Sequence, residues 1–112
     1  MDYTDKVLQT VARQEGDVVI RGEVDSVYAK LSTTKVHIQY GDNQAKGGVQ
    51  LHHNGLKDIV VWNPWSEKAA GMADFGNEEF HRMICVEAGQ VAEFIALAAG
   101  DSWHGSQVLS LL

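Results

Sequence analysis

The chain has 112 residues, and its 9 lysines and arginines against 15 aspartates and glutamates give a formal net charge of −6. Globular domains cluster at about 100–150 residues, so we expect a single domain over residues 1–112. Hydrophobic residues at 45% and charged residues at 21% exclude general disorder. The acidic balance argues against binding to nucleic acid or to an anionic membrane surface, because both need clustered lysine and arginine.

The chain has one cysteine, Cys85, so an internal disulfide is impossible and a reducing compartment is expected. No segment approaches the run of about 20 apolar residues that a membrane helix needs. The first residues also lack the basic start and the apolar stretch of a secretion signal. We therefore expect a cytoplasmic protein.

The first half of the chain has the period-two pattern of strands with one buried and one exposed face. Residues 3–14 leave open a short helix or an irregular lead-in. Alternation predicts three strands, at 23–28, at 34–40 with its end at Gly41-Asp42-Asn43, and at 48–52. Asn54-Gly55 predicts a tight turn, and the apolar β-formers of Lys57 to Trp62 predict a more deeply buried strand.

The second half begins with a break in the strand pattern. Pro64 ends the buried strand because proline cannot donate a ladder hydrogen bond. Residues 64–81 have room for no more than a short helix at 66–70, and so long a connection is usually functional. Strand patterns return in three segments, at 82–87, 91–97 and 103–112. Short strands with almost no helix predict an all-β fold, either an antiparallel β-sandwich or an open barrel.

Two acidic residues are candidates for chemistry. Glu87 ends a strongly apolar strand, where a partly dry environment can raise a carboxyl pKa toward that of a general base. A solvated glutamate at a strand end fits the same position. Asp25 stands inside a strand although aspartate is a poor β-former, which suggests a reason other than local preference. An aspartate on the wet side of the sheet is the simpler interpretation of that position.

The segment Trp62-Asn63-Pro64-Trp65 places two tryptophans around an Asn-Pro step at a strand end. Trp62 and Trp65 would make a rigid aromatic wall that stacks on sugar rings, with Asn63 bonding the hydroxyl edges. The same tryptophans could instead plug the end of the core, and composition does not separate the two interpretations. The five histidines have no metal-ligand spacing, so we expect neither a metal nor another cofactor.

The same residues resemble the hexose-phosphate mutarotases, which are glucose-6-phosphate 1-epimerase-like proteins of the aldose 1-epimerase superfamily. This family is also known as apospory-associated protein C-like. The resemblance rests mainly on VVWNPW at 60–65, EKA at 67–69 and MICVEAG at 83–89, together with Met72, Asp74-Phe75 and Glu79-Phe80. Residues 3–6, 22–28 and 100–107 also resemble the family, so the similarity covers nearly the whole chain.

The resemblance implies the C-terminal part of a galactose-mutarotase-like supersandwich that interconverts the anomers of a hexose or hexose 6-phosphate. In that reaction a base takes the proton of the C1 hydroxyl while an acid protonates the ring oxygen. By position in its motif, Glu87 matches the family's catalytic base and Asp25 matches the residue that holds sugar hydroxyls. With Trp62, Asn63 and Trp65 lining the cleft, the resemblance implies a substrate-binding site.

The departures from the family pattern limit this expectation. The segment that supplies the family's catalytic histidine and most of its phosphate-binding arginines is not in this sequence, and Ser26 stands where the family usually has arginine. We therefore expect carbohydrate binding with at most residual anomer interconversion.

A partial sandwich also leaves apolar sheet faces uncovered, which predicts a homodimer. A non-catalytic dimeric β-sandwich module and one subunit of a split epimerase are the alternatives.

Overall fold

The structure, a computed structural model, describes residues 1–41 and 47–112. The strand end predicted at Gly41-Asp42-Asn43 therefore lies largely outside the described residues. Two short helical segments occur in this part of the chain, α1 (Trp65–Ala70) and a 3-10 turn (Glu79–Arg82). The strands are β1 (Asp2–Asp5), β2 (Thr10–Arg13), β3 (Val24–Tyr28), β4 (Lys35–Tyr40), β5 (Gly47–Asn54), β6 (Asp58–Asn63), β7 (Cys85–Gly89) and β8 (Ser106–Leu111).

The strands form two open sheets. The large sheet has the order β2-β1-β3-β6-β7, and the small sheet has the order β4-β5-β8. Every pair of neighbouring strands is antiparallel. The predicted all-β antiparallel sandwich is therefore confirmed. Across the described ranges, neither helical segment has the length and apolar character needed to cross a bilayer.

The core lies between the two sheets and follows the period-two pattern of the strands. Tyr28, Ile59 and Val61 from the large sheet pack with Leu51 from the small sheet. The ring of Tyr3 stacks on Tyr28 with centroids 5.1 Å apart. Burial raises the pKa of the Tyr28 hydroxyl, with smaller contributions from Tyr3 and Asp5. Alternate residues of β3 and β6 therefore face inward, and the residues between them face outward.

Residues 3–14, which the sequence left open, form the antiparallel hairpin of β1 and β2. The Asp5 carboxylate closes the turn by accepting hydrogen bonds from the backbone N–H groups of Val7 and Leu8, both at 3.0 Å. Gln9 supplies the positive φ, 54°, that the turn requires. An aspartate that bonds the backbone two or three residues ahead is a turn signal, and it decides this segment in favour of a hairpin.

The strand predicted at 91–97 is wrong, and the one predicted at 82–87 is displaced. Residues 91–97 have no strand hydrogen bonding and are exposed. The first two N–H groups of that segment, of Val91 and Ala92, both donate to Asp58 Oδ2 at 2.8 Å. An apolar alternation makes a strand only where a neighbouring strand accepts its hydrogen bonds, and here the carboxylate diverts the chain away from the sheet.

The molecule is less closed than a compact domain of its size. Its radius of gyration is 15.7 Å, whereas a compact domain of this length has about 13 Å. Its accessible surface is 8142 Å², against about 6,100 Å² for a compact monomer of this mass. Residues 91–112 are exposed along their whole length, and apolar side chains of β2 and β8 are exposed as well.

Candidate functional site

The large sheet has an outer face that points away from the core. Asp25, Trp62 and Cys85 stand opposite one another on β3, β6 and β7. Val27 and Val60 stand in the next outward row, and that row ends at Glu87. Because opposite residues in a sheet share a face, these side chains form one surface, called here the outer face.

Asp25 and Glu87 are 62 residues apart in sequence but lie on this one surface. They are two strands and two residues apart, which places their Cα atoms at about 12 Å from the standard strand spacings. Trp62 lies between their strands, directly beside Asp25. Glu87 is exposed, whereas Trp62 is half-buried. The structure thus places Asp25, Trp62 and Glu87 on one surface, in two adjacent rows that also hold Val27 and Val60.

Charged side chains surround Asp25 at one end of the outer face. Lys6 Nζ lies 3.7 Å from Asp25 Oδ2, and the Asp25 side chain is 24% exposed. Lys68, from α1, reaches Glu23 Oε1 at 2.7 Å. The pKa of Lys68 is raised by its hydrogen bond to Glu23 and the charge of Glu23, with a smaller contribution from Asp25. Asp25 therefore has Lys6 within ion-pairing distance, and Lys68 lies close enough for the two charges to interact.

Cys85, the first residue of β7, stands opposite Trp62 on the outer face. Burial raises the pKa of its thiol, and the nearby charge of Glu87 raises it further. A raised thiol pKa keeps the sulfur protonated and poorly nucleophilic at neutral pH. Cys85 therefore contributes an apolar surface to the outer face, not a reactive thiolate.

Asn63 does not reach the outer face. It is 1% exposed, and its amide NH₂ donates to the carbonyl oxygens of Phe80 at 2.9 Å and Met83 at 3.0 Å. Its side-chain oxygen accepts the N–H of Trp65 at 2.9 Å. These three bonds fasten the long 64–83 connection to the end of β6, so in this structure Asn63 positions the connection and does not present its amide to a ligand.

Trp65 packs on the 3-10 turn. Its ring lies 4.9 Å from that of Phe80 and 5.8 Å from that of His81. Its φ of 58° is unusual for a bulky residue and costs conformational energy, which the Asn63 bond and this packing offset. The two sequence interpretations therefore apply to different tryptophans. Trp62 faces outward, as a stacking surface would, whereas Trp65 packs with its neighbours.

The histidines lie elsewhere. His37, His52 and His53 are on strands of the small sheet, His81 is on the 3-10 turn and His104 precedes β8. None of the five is on β3, β6 or β7, the strands that form the outer face. Within residues 1–41 and 47–112, no three histidine, cysteine, aspartate or glutamate side chains cluster closely enough to hold a metal ion. The described outer face thus offers carboxylates and an indole but no imidazole.

The sequence interpretation missed the lysines beside Asp25. Lys6 and Lys68 come from two distant elements, and no spacing in the sequence connects either of them to position 25. A lysine one residue after a short strand is also a common surface residue. Only the sheet order, with β1 beside β3 and α1 following β6, shows that both flank the same carboxylate.

Comparison with known proteins gives a consistent assignment. The family model described as aldose 1-epimerase matches residues 2–110. A protein from Cenchrus ciliaris named "Putative glucose-6-phosphate 1-epimerase" is 39% identical over 112 residues, covering 98% of this chain and 33% of that protein. A protein of the same name from Haemophilus influenzae is 31% identical over 72 residues, covering 64% of this chain and 24% of its own length. This chain spans about a third of the length of the first relative, and it belongs to the aldose 1-epimerase family.

Proposed function

We propose that this protein binds a hexose or hexose 6-phosphate on the outer face and catalyses at most slow interconversion of its anomers. The observation that carries the proposal is the placement of Asp25, Trp62 and Glu87 on one surface of three adjacent strands. Sugar sites combine an aromatic ring, which stacks on the apolar face of the sugar, with carboxylates that accept its hydroxyl hydrogens.

Each residue has a separate role in this proposal. Trp62 supplies the stacking surface, and Asp25, which lies beside Lys6 and near Lys68, accepts hydrogen bonds from sugar hydroxyls. Glu87 is exposed and positioned to take the proton of the C1 hydroxyl as a general base. Asn63 and Trp65 act indirectly, because they fix the 64–83 connection beside the site.

The proposal limits catalysis because ring opening also needs an acid at the ring oxygen. None of the five histidines lies on the strands of the outer face, so these strands do not supply the imidazole that the family resemblance implies for the reaction. Glu87 alone can remove a proton, but an acid from water is a poor substitute for a positioned one. Binding is therefore the main proposed activity and anomer interconversion the minor one.

We further propose that the protein is a cytoplasmic homodimer. A single half-buried cysteine suits a reducing compartment. The exposed apolar side chains, among them Leu109 and Leu111, suit a partner that covers them. The alternatives remain a dimeric module without sugar binding and one subunit of a split epimerase.

Binding and catalysis can be measured separately. Saturation-transfer NMR with glucose, galactose and their 6-phosphates should detect binding to the wild-type protein. Asp25→Asn should weaken that binding about tenfold or more, because a charged hydrogen-bond acceptor is lost. Glu15→Gln, at an exposed carboxylate on the hairpin side of the large sheet, is the matched control and should leave binding unchanged.

Polarimetry of α-D-glucose 6-phosphate then tests the minor activity. A rate above buffer that disappears in Glu87→Gln supports Glu87 as the base. Binding without any such rate leaves a carbohydrate-binding protein. Absence of binding across the whole sugar panel contradicts the proposal and favours the module without sugar binding, whereas co-purification of a stoichiometric second polypeptide favours the split epimerase.

A further inference from the structure

The free edge of β8 differs from the other three sheet edges. Its sequence, Ser106-Gln107-Val108-Leu109-Ser110-Leu111, contains no charge, proline or glycine. Each of the other edge strands carries a charged residue, which is Arg13 on β2, Lys35 on β4 and Glu87 on β7. Proteins usually protect exposed edges with charges or prolines, because an unprotected edge pairs with other strands. The β8 edge has no such protection.

Two backbone hydrogen bonds show which groups of β8 point outward. The Leu112 N–H donates to the Gly48 carbonyl at 2.9 Å. The backbone N–H and C=O groups of the even-numbered residues of β5 therefore point toward β8. The His53 N–H donates to the Thr34 carbonyl at 2.8 Å. The backbone N–H and C=O groups of the odd-numbered residues of β5 therefore point toward β4. In an antiparallel ladder these directions alternate along each strand. The N–H and C=O groups of the odd-numbered residues of β8, 107, 109 and 111, therefore point away from β5.

The side chains of the same residues lie on the inward face of the small sheet. Leu109 stands opposite Leu51, which is 1% exposed, yet Leu109 itself is 61% exposed and Leu111 is 84% exposed. The inward face is thus covered at its middle strand and uncovered at β8. A strand added at this edge would extend the sheet and bring its own side chains alongside these leucines.

We propose that β8 is the dimerisation edge and that it pairs antiparallel with β8 of a second copy of this chain. This inference rests on the homodimer part of the proposed function and assigns its interface. A two-fold axis at Leu109 places that residue opposite its own copy and Gln107 opposite Leu111 of the second copy. In this register every outward N–H and C=O meets a partner, and the leucines of both copies share one face.

A second copy fits this edge for two reasons. A strand that pairs with itself about a two-fold axis is self-complementary, and β8 has no charge that would repel its own copy. The exposed side chains of Leu109 and Leu111 also give a second copy apolar groups to pack against. A register centred on Val108 would also pair the outward N–H and C=O groups, but it places Leu109 opposite Gln107 of the second copy and loses the direct pairing of the two Leu109 side chains.

Sedimentation of the full chain at tens of micromolar tests the interface. We expect the wild-type protein to have the mass of a dimer and Leu109→Lys to shift the population to monomer by at least tenfold in dissociation constant. Leu8→Lys, at a leucine that is 72% exposed in the hairpin turn, is the matched control and should remain a dimer. Circular dichroism checks that both variants keep the β fold.

Cysteine crosslinking in a Cys85→Ser background tests the register. Residues facing each other in a hydrogen-bonded pair have Cα atoms about 5.5 Å apart, within disulfide range. Leu109→Cys should therefore form an intermolecular disulfide on oxidation, and Val108→Cys should not. Stronger crosslinking at 108 than at 109 overturns the register. A wild-type monomer overturns both the homodimer and the β8 interface. A dimer that survives Leu109→Lys, or a different polypeptide bound at this edge, overturns only the interface. Sugar binding is measured independently of both.

Discussion

The two sheets differ in how much of their own inward face they cover. In the large sheet, Ile59 is 3% exposed and Val61 is 6% exposed. In the small sheet, Leu51 is equally buried, but Leu109 beside it and Leu111 are mostly exposed. The strands that carry the proposed sugar site are therefore packed within one chain, whereas the small sheet leaves the leucines of its last strand exposed. The proposed sugar site and the proposed dimer edge thus lie on different sheets.

The large sheet is also held by buried polar side chains, which the small sheet's free edge lacks. Asn63 bonds three backbone groups of the 64–83 connection. Asp58, which is 1% exposed, accepts hydrogen bonds from the N–H groups of Lys30, Val91 and Ala92. Buried bonds of this kind are costly to break, so they should dominate the response of this sheet to mutation.

The largest expected effect is from Asn63→Ala. This change leaves two carbonyls and one N–H without their partners, so we expect the free energy of unfolding to fall by about 4 kcal/mol. Urea unfolding at a fixed protein concentration measures the loss. Asn77→Ala, at an exposed position of the same connection, should change stability by less than about 0.5 kcal/mol. A loss below about 1 kcal/mol for Asn63→Ala would contradict its fastening role.

Asp58→Ala should lower the free energy of unfolding somewhat less, by about 3 kcal/mol, because water can replace the carboxylate as acceptor for some of its N–H donors. Burial alone would raise the pKa of Asp58, but its backbone donors and Lys30 outweigh burial and lower it. A lowered pKa stabilises the fold fully above the unfolded value of about 3.9 and loses that stabilisation as the pH falls through the folded value.

The acid profile therefore provides a second test of Asp58. The wild-type protein should lose stability below about pH 4, and Asp58→Ala should lose less over the same interval. Asp74→Ala, at an exposed aspartate of the 64–83 connection, serves as the control and should keep the wild-type profile. Identical acid profiles for wild type and Asp58→Ala would refute this assignment of the acid-sensitive group.

Hydrogen exchange should separate the packed and open regions without mutation. Amides of β6 should exchange at least about a thousandfold more slowly than those of residues 93–97, because local opening ranges from near zero to the global free energy. The latter residues are exposed and lie outside the sheets. Similar protection in both segments would mean that residues 91–97 form the strand originally predicted from the sequence.

The smallest effect is expected at the ion pair of Glu23 and Lys68, whose side chains are 33% and 57% exposed. Glu23→Gln should lower the free energy of unfolding only slightly, and the effect should shrink further in high salt. Urea unfolding at low and high ionic strength checks this. A loss of several kcal/mol that does not depend on salt would show that this pair holds α1 to the sheet.

The sequence predicted the parts of the fold in which local pattern and pairing agree. β6 has apolar β-formers between Asn54-Gly55 and Pro64, and the structure places Asp58–Asn63 there. The segment 91–97 has a similar pattern but no neighbouring strand, so pattern alone misled. Residues 3–14 could not be decided, because the hairpin depends on one Asp5 side chain.

The candidate site was partly predictable for the same reason. The alternation of β3, β6 and β7 determines which residues face outward once the strands are adjacent, but their adjacency and register are long-range properties. Asn63 illustrates the limit: its position beside two tryptophans suggested sugar contact, whereas the structure uses its amide for backbone bonds. The lysines around Asp25 depend on sheet order alone and could not be predicted.

The most direct test of the account is the indole N–H spectrum of the protein during titration with glucose 6-phosphate. The chain has three tryptophans, which Trp→Phe variants assign one by one. We expect the Trp62 signal to shift saturably while that of Trp103, beside β8, stays in place. A Trp62 signal that does not move, or a shift confined to Trp103, would contradict sugar binding on the outer face.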